Sequence, residues 1–204
     1  AVARSVRLAK CWCHAHMFSN HLPPQLIELL VIYGFTERGA SPHGVPATHV
    51  QGFARFLQLL FQYDWEGSPL VVDVDDGDDK IDSAAVESAW SKRKNDSAAM
   101  FVITNYDLNS VWTQGHPSVH VLSKIKSFAR ASAETLIAYL DCSNIRHDNP
   151  AVGNNSGLKA LFQTPTNRFD VLIHLRDEMI PAGADAVNYS YKKATAAISA
   201  GPLA

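Results

Sequence analysis

The chain has 204 residues, 47% of them apolar and 19% charged, enough to bury a real core in one large or two small domains without help from metal or disulfides. Lys and Arg number 18 against 20 Asp and Glu, so the formal net charge of −2 excludes a global positive field for nucleic acid, and any RNA contact must be local. The 3 cysteines, with Cys11 and Cys13 separated by one residue, argue against a disulfide framework and for a reducing compartment, nucleus or cytoplasm.

A first helix is expected over residues 2–17, where Val2, Val6, Ala9, Cys13 and Met17 form one stripe widened by Leu8 and Trp12. Asn20 and Pro23-Pro24 end it, and Pro24 suits the first turn of a second helix, Leu26 to Ile32, that closes before Gly34. The longest apolar run, Leu26 to Phe35, is too short to cross a bilayer, and no charged-then-apolar signal opens the chain, so a soluble, non-secreted protein is expected. Because the chain starts at Ala1 without Met and already in helical pattern, it reads as a piece cut from a longer protein whose active part could lie elsewhere.

Residues 37–46 are rich in Gly, Pro and Ser and read as a loop, after which Thr48 caps a third helix carrying Phe53, Phe56, Leu57 and Leu60. The period then changes. Leu70 to Val74 is short, β-branched and bounded by turn residues, which predicts a buried strand, followed by a helix over residues 83–94. Met100 to Thr104 predicts a second strand, and after Pro117-Ser118 a long helix steps through Leu122, Ile125, Ala129, Ala133, Leu136 and Leu140. Asp141 to Gly157 reads as an Asn-rich loop, Phe169 to Leu175 as a third strand, and Ala184 to Ala204 as a weak helix or frayed tail. A cut in the polar stretch 91–98 would give a domain over 1–95 and another over 98–204, although pairing of the first two strands would make the halves one packed unit.

Several constellations invite chemistry and fail on spacing. Cys11, Cys13, His14 and His16 offer zinc ligands but fan across several faces of a helix. The acidic run Asp73 to Asp82 misses the EF-hand register and reads as a solvated turn. Gly67-Ser68 with Asp73 and Asp75 imitates a nucleotidyltransferase metal site, yet the gap from Ser68 to Asp73, stiffened by Pro69, leaves no room for the helix that would present amides to a triphosphate. No Ser/His/Asp or Cys/His arrangement is defensible, so no catalytic residue, metal or cofactor is expected. The basic concentration is Lys92, Arg93 and Lys94 with Lys124, Lys126 and Arg130 on the long helix, the candidate RNA contacts, against a default reading as solvated helix surface. Trp65 and Trp112 could stack on bases, but aromatic residues beside strands are usually core.

The order of Phe53 to Tyr63, Asp64-Trp65, Pro69-Leu70, Val102-Ile103-Thr104 and Asn109-Ser110 resembles the central domain of eukaryotic poly(A) polymerases. A closer resemblance is carried by Arg7-Leu-Ala-Lys10 with Trp12, Gln51-Gly-Phe-x-Arg-Phe-Leu57, Asn109-Ser-Val-Trp-Thr-Gln114, Pro117-Ser118 and Phe169-Asp-Val-Leu-Ile-His-Leu175 before Ile180-Pro181. These blocks are similar to the C-terminal domains of the nucleolar RNA-associated protein family, Nrap, from about residue 4 to residue 190. Cys11, Cys13, the acidic loop and the Asn-rich insert at 149–157 depart from it.

The resemblance implies an α+β chain: a helical domain of the poly(A) polymerase and oligoadenylate synthetase (PAP/OAS1-like) substrate-binding type, followed by a smaller β-α-β-α-β unit, together the last two domains of the parent. It further implies a nucleolar, non-enzymatic scaffold of the small-subunit processome that binds assembly-factor proteins, pre-rRNA and small nucleolar ribonucleoprotein, with no membrane partner. Exposed apolar patches would then mark binding sites. The competing reading is the central region of an active nucleotidyltransferase, with ATP and magnesium held against an upstream domain.

Overall fold

The N-terminal apolar stripe becomes helix α1, Val2–Ala15, in the computed structural model, which describes residues 1–36, 44–73, 82–93, 98–145 and 159–163. The helix buries Ser5, Ala9, Trp12 and Cys13. It stops short of the expected residue 17 because Met17 adopts φ 62°, and the Phe18 amide reaches back 2.7 Å to the Cys13 carbonyl. That turn carries Met17 out to 56% exposure and drops Phe18 into the core.

Helix α2, Pro24–Tyr33, starts on its proline as expected and buries Leu26, Ile27, Leu30 and Val31. Helix α3, His49–Gln62, is held at its start by a complete capping box: the Thr48 hydroxyl accepts from the Gln51 amide, and the Gln51 side chain accepts from the Thr48 amide. Gly52 lets α3 approach α1 closely, since a Cβ there would collide with Ser5 Oγ and the Phe35 ring. Ser5 Oγ donates across this contact to the His49 carbonyl at 2.9 Å.

Strand β1, Leu70–Val72, and strand β2, Val102–Thr104, pair in parallel with Leu70 opposite Val102 and Val72 opposite Thr104. Parallel strands need a crossover, and helix α4, Ser83–Lys92, capped by the Asp82 carboxylate, lies on it. After a 3-10 turn at Val111–Thr113 comes α5, Val119–Ile145. The first five residues of the loop expected from Asp141 are instead helical, because the helix continues through a stretch that the Asn and Ser content had marked as irregular. The rest of that loop, the acidic run from 74 to 81, the strand expected at 169–175 and the Ala-rich tail lie outside the described residues.

One buried cluster takes in Trp12, Leu30, Phe56, Leu70, Val102, Ile125 and Leu136. Core and sheet both run across the cut expected between residues 95 and 98, and the compact unit is Ala1–Phe162. The described part is thus mostly helical with a small two-stranded parallel sheet. At the centre Trp12 donates from Nε1 to Ser132 Oγ at 2.9 Å, joining α1 to α5 across 120 residues of sequence. Its ring meets Phe56 edge-on at 6.2 Å and lies 5.7 Å from Phe18, which meets Phe128 at 5.6 Å. His16 packs into the same aromatic group, 5.0 Å from both Trp12 and Phe128, with Nε2 at 3.1 Å from the Leu161 carbonyl. Among the described residues no helix is long and apolar enough to cross a membrane.

Replacing Thr48 with Ala removes the hydroxyl that accepts from the Gln51 amide, leaving the backbone half of the capping box, and is expected to cost about 1 kcal/mol in urea unfolding. Trp12→Phe strands the buried Ser132 hydroxyl and removes apolar volume, for about 2–4 kcal/mol in the same measurement. Burial holds the His16 pKa below its ordinary value of 6.5, the Leu161 carbonyl only partly opposing this. The folded state therefore disfavours the imidazolium, and the neutral ring's contribution is complete above 6.5 and lost as pH falls through the lowered value. Stability measured across that window should fall with acid, and His16→Phe should flatten the slope.

Candidate functional site

Parallel strands deliver their carboxyl ends to one edge, the side on which α/β sheets gather ligand contacts. Asp73 follows β1 and Asn105 follows β2. Asn105 Nδ2 donates to Asp73 Oδ1 at 3.0 Å. A carboxylate can only accept, so the amide nitrogen faces it and Asn105 Oδ1 faces away, buried and without a hydrogen-bond partner.

Residues 104–113 fold into a tight knot beyond that pair. Thr104 and Asp107 exchange backbone bonds of 3.0 and 3.2 Å, and the Asp107 carboxylate accepts from the amides of Asn109 at 2.9 Å and Val111 at 2.7 Å. Ser110 takes the left-handed conformation, φ 53° and ψ 48°, which turns its hydroxyl inward. There Ser110 Oγ accepts from the buried Val102 amide at 2.8 Å and bonds Thr113 Oγ1. With the two hydroxyl residues held inside, Val111 and Trp112 are pushed out, 53% and 43% exposed, and Tyr106 is 79% exposed. Trp65 lies in the core, its Nε1 donating to the Leu60 carbonyl at 3.0 Å, so the two tryptophans weighed together in the sequence part company here.

The six candidate RNA contacts are scattered in role. Arg93 is engaged at the sheet margin: its guanidinium donates to the carbonyls of Ala98 and Met100, the latter at 2.8 Å, and lies over the rings of Trp90 and Phe101. Lys92 is exposed at the end of α4, and Lys94 is outside the described residues. On α5, Lys126 and Arg130 stand four apart and share a flank, with Arg130 5.5 Å above the Phe61 ring, while Lys124 lies on another face. Lys126 and Arg130 are the pair the structure brings together.

The features that imitated catalytic or metal sites are occupied locally. No helix begins at Gly67-Ser68. The Gly67 amide bonds Asp64 Oδ1 at 3.1 Å, and Ser68 Oγ donates to Tyr63 Oη at 3.2 Å, which itself donates to the Pro69 carbonyl at 2.7 Å. Burial raises the Tyr63 pKa, the Ser68 bond opposing it. Asp75 lies outside the described residues. Along α1, Cys11 and His14 face solvent while Cys13 is buried, its thiol pushed up to about 12 by desolvation. Among the described residues no three His, Cys, Asp or Glu side chains converge on a point that could hold an ion.

Sequence reasoning missed Asn105, Tyr106, Asp107 and the inward turn of Ser110. The legible signal was Asp107-x-Asn-Ser110, in which an Asp accepts from amides two and four residues on, the usual geometry of an Asx turn.

The family model described as Nrap protein PAP/OAS1-like domain 5 matches residues 1–164. Among curated proteins the chain is 27% identical over 187 residues to Nucleolar protein 6 of Xenopus tropicalis, covering 91% of this chain and 15% of that protein. It is 29% identical over 183 residues to the Mus musculus protein of the same name and 27% over 183 residues to that of Homo sapiens, each covering 89% of this chain and 15% of the relative. The chain therefore spans about 15% of the length of these relatives, and the nucleolus is the location that their shared name supports. The matched segment includes the whole compact unit and both sides of the 95/98 cut. The chain belongs to the Nrap family, with residues 1–164 matching its PAP/OAS1-like domain 5.

Proposed function

We propose that this chain is a non-catalytic scaffold domain acting in small-ribosomal-subunit biogenesis, within the small-subunit processome, where it holds assembly-factor proteins and touches pre-rRNA and small nucleolar ribonucleoprotein. The observation that carries the reading is the Nrap domain match over residues 1–164, joined to relatives named for the nucleolus. Physical chemistry agrees with it. A net charge of −2 suits protein contacts better than extended phosphate contacts, and the Gly-Ser turn that would cradle a triphosphate in an enzyme is closed on its own neighbours. In this reading Phe169–Leu175 adds a third strand and completes the β-α-β-α-β order begun by β1, α4, β2 and α5. RNA contact falls to the Lys126 and Arg130 flank, with Lys92 and Lys124 as outlying charges.

The test is purification of the intact parent from growing cells, scored for small-subunit assembly proteins and pre-rRNA, beside an assay for nucleotide incorporation with ATP and magnesium. Co-purification without incorporation is expected, and incorporation that depends on this domain would replace the scaffold with the nucleotidyltransferase reading. In filter binding of the parent to pre-rRNA against salt, removing the charges of Lys126 and Arg130 should reduce the log–log slope by roughly 1–2.

A further inference from the structure

We infer that the solvent face of α1, carried by Arg4, Arg7 and His14, is a contact surface for the phosphate backbone of RNA, additional to the Lys126 and Arg130 flank of α5. The inference rests on the scaffold reading and gives the RNA part of that reading a further place in the fold. Its first support is geometry. Positions 4, 7, 11 and 14 recur at steps of three and four, so Arg4, Arg7, Cys11 and His14 form one row along the helix, and all four are exposed. The row lies opposite the buried residues Ser5, Ala9, Trp12 and Cys13, which fix the rotation of the helix against the core. From Arg4 to His14 it runs about 15 Å at roughly 1.5 Å per residue. Among the described residues no hydrogen bond, ion pair or ring contact engages the side chains of Arg4, Arg7 or His14, so the packing of α1 makes no use of them.

The second support is charge. Residues 1–27 include Arg4, Arg7 and Lys10 and contain no Asp or Glu, in a chain whose formal net charge is −2. The first acid along the sequence, Glu28 on α2, is paired with Lys10. The row therefore presents donors and positive charge with no carboxylate of its own helix beside them, the local field that a chain of acidic balance needs if it is to meet phosphate. A guanidinium engages phosphate oxygens through two parallel N–H groups, and the His14 ring adds a further donor. An acidic protein segment would meet the same cations, but protein interfaces are anchored by apolar and aromatic side chains, and the row supplies none, since Trp12 lies in the core. Cations without an apolar anchor suit a polyphosphate backbone better than a peptide, so RNA is the occupant that composition and geometry together favour.

The experiment uses the whole 204-residue chain. A fluorescent single-stranded RNA of mixed sequence is titrated by anisotropy over a series of salt concentrations, beside a polyglutamate peptide of the same charge. The RNA should bind and the polyglutamate should not. Arg4→Gln with Arg7→Gln should lower the log–log salt slope by about 1.4, at roughly 0.7 per phosphate contact, and weaken binding by about tenfold to thirtyfold near about 0.1 M salt. Arg4→Lys with Arg7→Lys should keep the slope. Ser88→Glu with Gln114→Glu lowers the net charge by the same amount from exposed positions outside the row and should leave the slope unchanged. Thermal melts check that the variants fold, and should the Gln pair melt early, each single variant, expected to lower the slope by about 0.7, replaces it. RNA that does not bind, a slope unmoved by the Gln substitutions, a slope lowered equally by Ser88→Glu with Gln114→Glu, or polyglutamate that binds as tightly as RNA and weakens with the same variants would each overturn the proposal. Any of these with a parent that still co-purifies with assembly proteins leaves the scaffold reading standing. A parent without such proteins sinks that reading whatever the RNA does.

Discussion

Pairing of Leu70–Val72 with Val102–Thr104 is the constraint on which the remaining architecture depends. The strands are only three residues long and could not persist alone, yet their parallel register dictates a crossover and draws the segment after residue 98 onto the helices before residue 73. It also decides what meets at the carboxyl ends of the strands. Had the strands run antiparallel, Asp73 and Asn105 would lie at opposite ends of the ladder and could not share a hydrogen bond. Fold and site are in this sense one decision, taken by the β-branched blocks and stabilised by burial of Leu70, Val72 and Val102 in the common core.

Polar atoms inside this core mark where the elements meet. Ser5 bonds the start of α3, Ser110 bonds a strand amide, and Ser132 accepts the Trp12 indole. Each satisfies a group whose burial would otherwise be costly, and each is specific in direction where apolar packing is not. The Ser110 contact has the clearest functional meaning, because the side chain that it turns inward obliges the next two residues to face solvent. An exposed tryptophan beside a sheet is thereby a product of local geometry, close in sequence to Phe101, Val102 and Ile103, which are buried.

Much of the fold is legible in the sequence. Thr48 and Gln51 announced the third helix, Pro24 announced the second, and the steps of three and four from Leu122 to Leu136 traced the buried face of the last. What was not legible has physical causes. Residue composition describes tendencies of isolated segments, so Asp141 to Ile145 looked irregular although the preceding six turns of helix carry them on. Met17 fits a helical stripe by spacing, but the chain must reverse there to seat Phe18 beside Trp12. Arg93 looked like a phosphate contact because charge is visible in sequence, whereas the carbonyls and rings that engage it are assembled only by the fold. The edge at Asn105 and Tyr106 was hidden for the same reason: its members come from two strands whose register no local pattern declares.

The hydrogen bond between Trp12 and Ser132 joins residues that are made far apart in time. A nascent polypeptide leaves the ribosome amino end first, so the indole must wait for the first half of α5 to emerge before its N–H is satisfied, and Phe18 and Phe56 wait with it for Phe128 and its neighbours. Throughout that interval the early helices display a greasy, half-finished surface. A domain whose proposed task is to help assemble ribosomal subunits is thus itself a demanding client of the translation machinery, and premature truncation before α5 would leave a sticky remnant instead of a smaller working part.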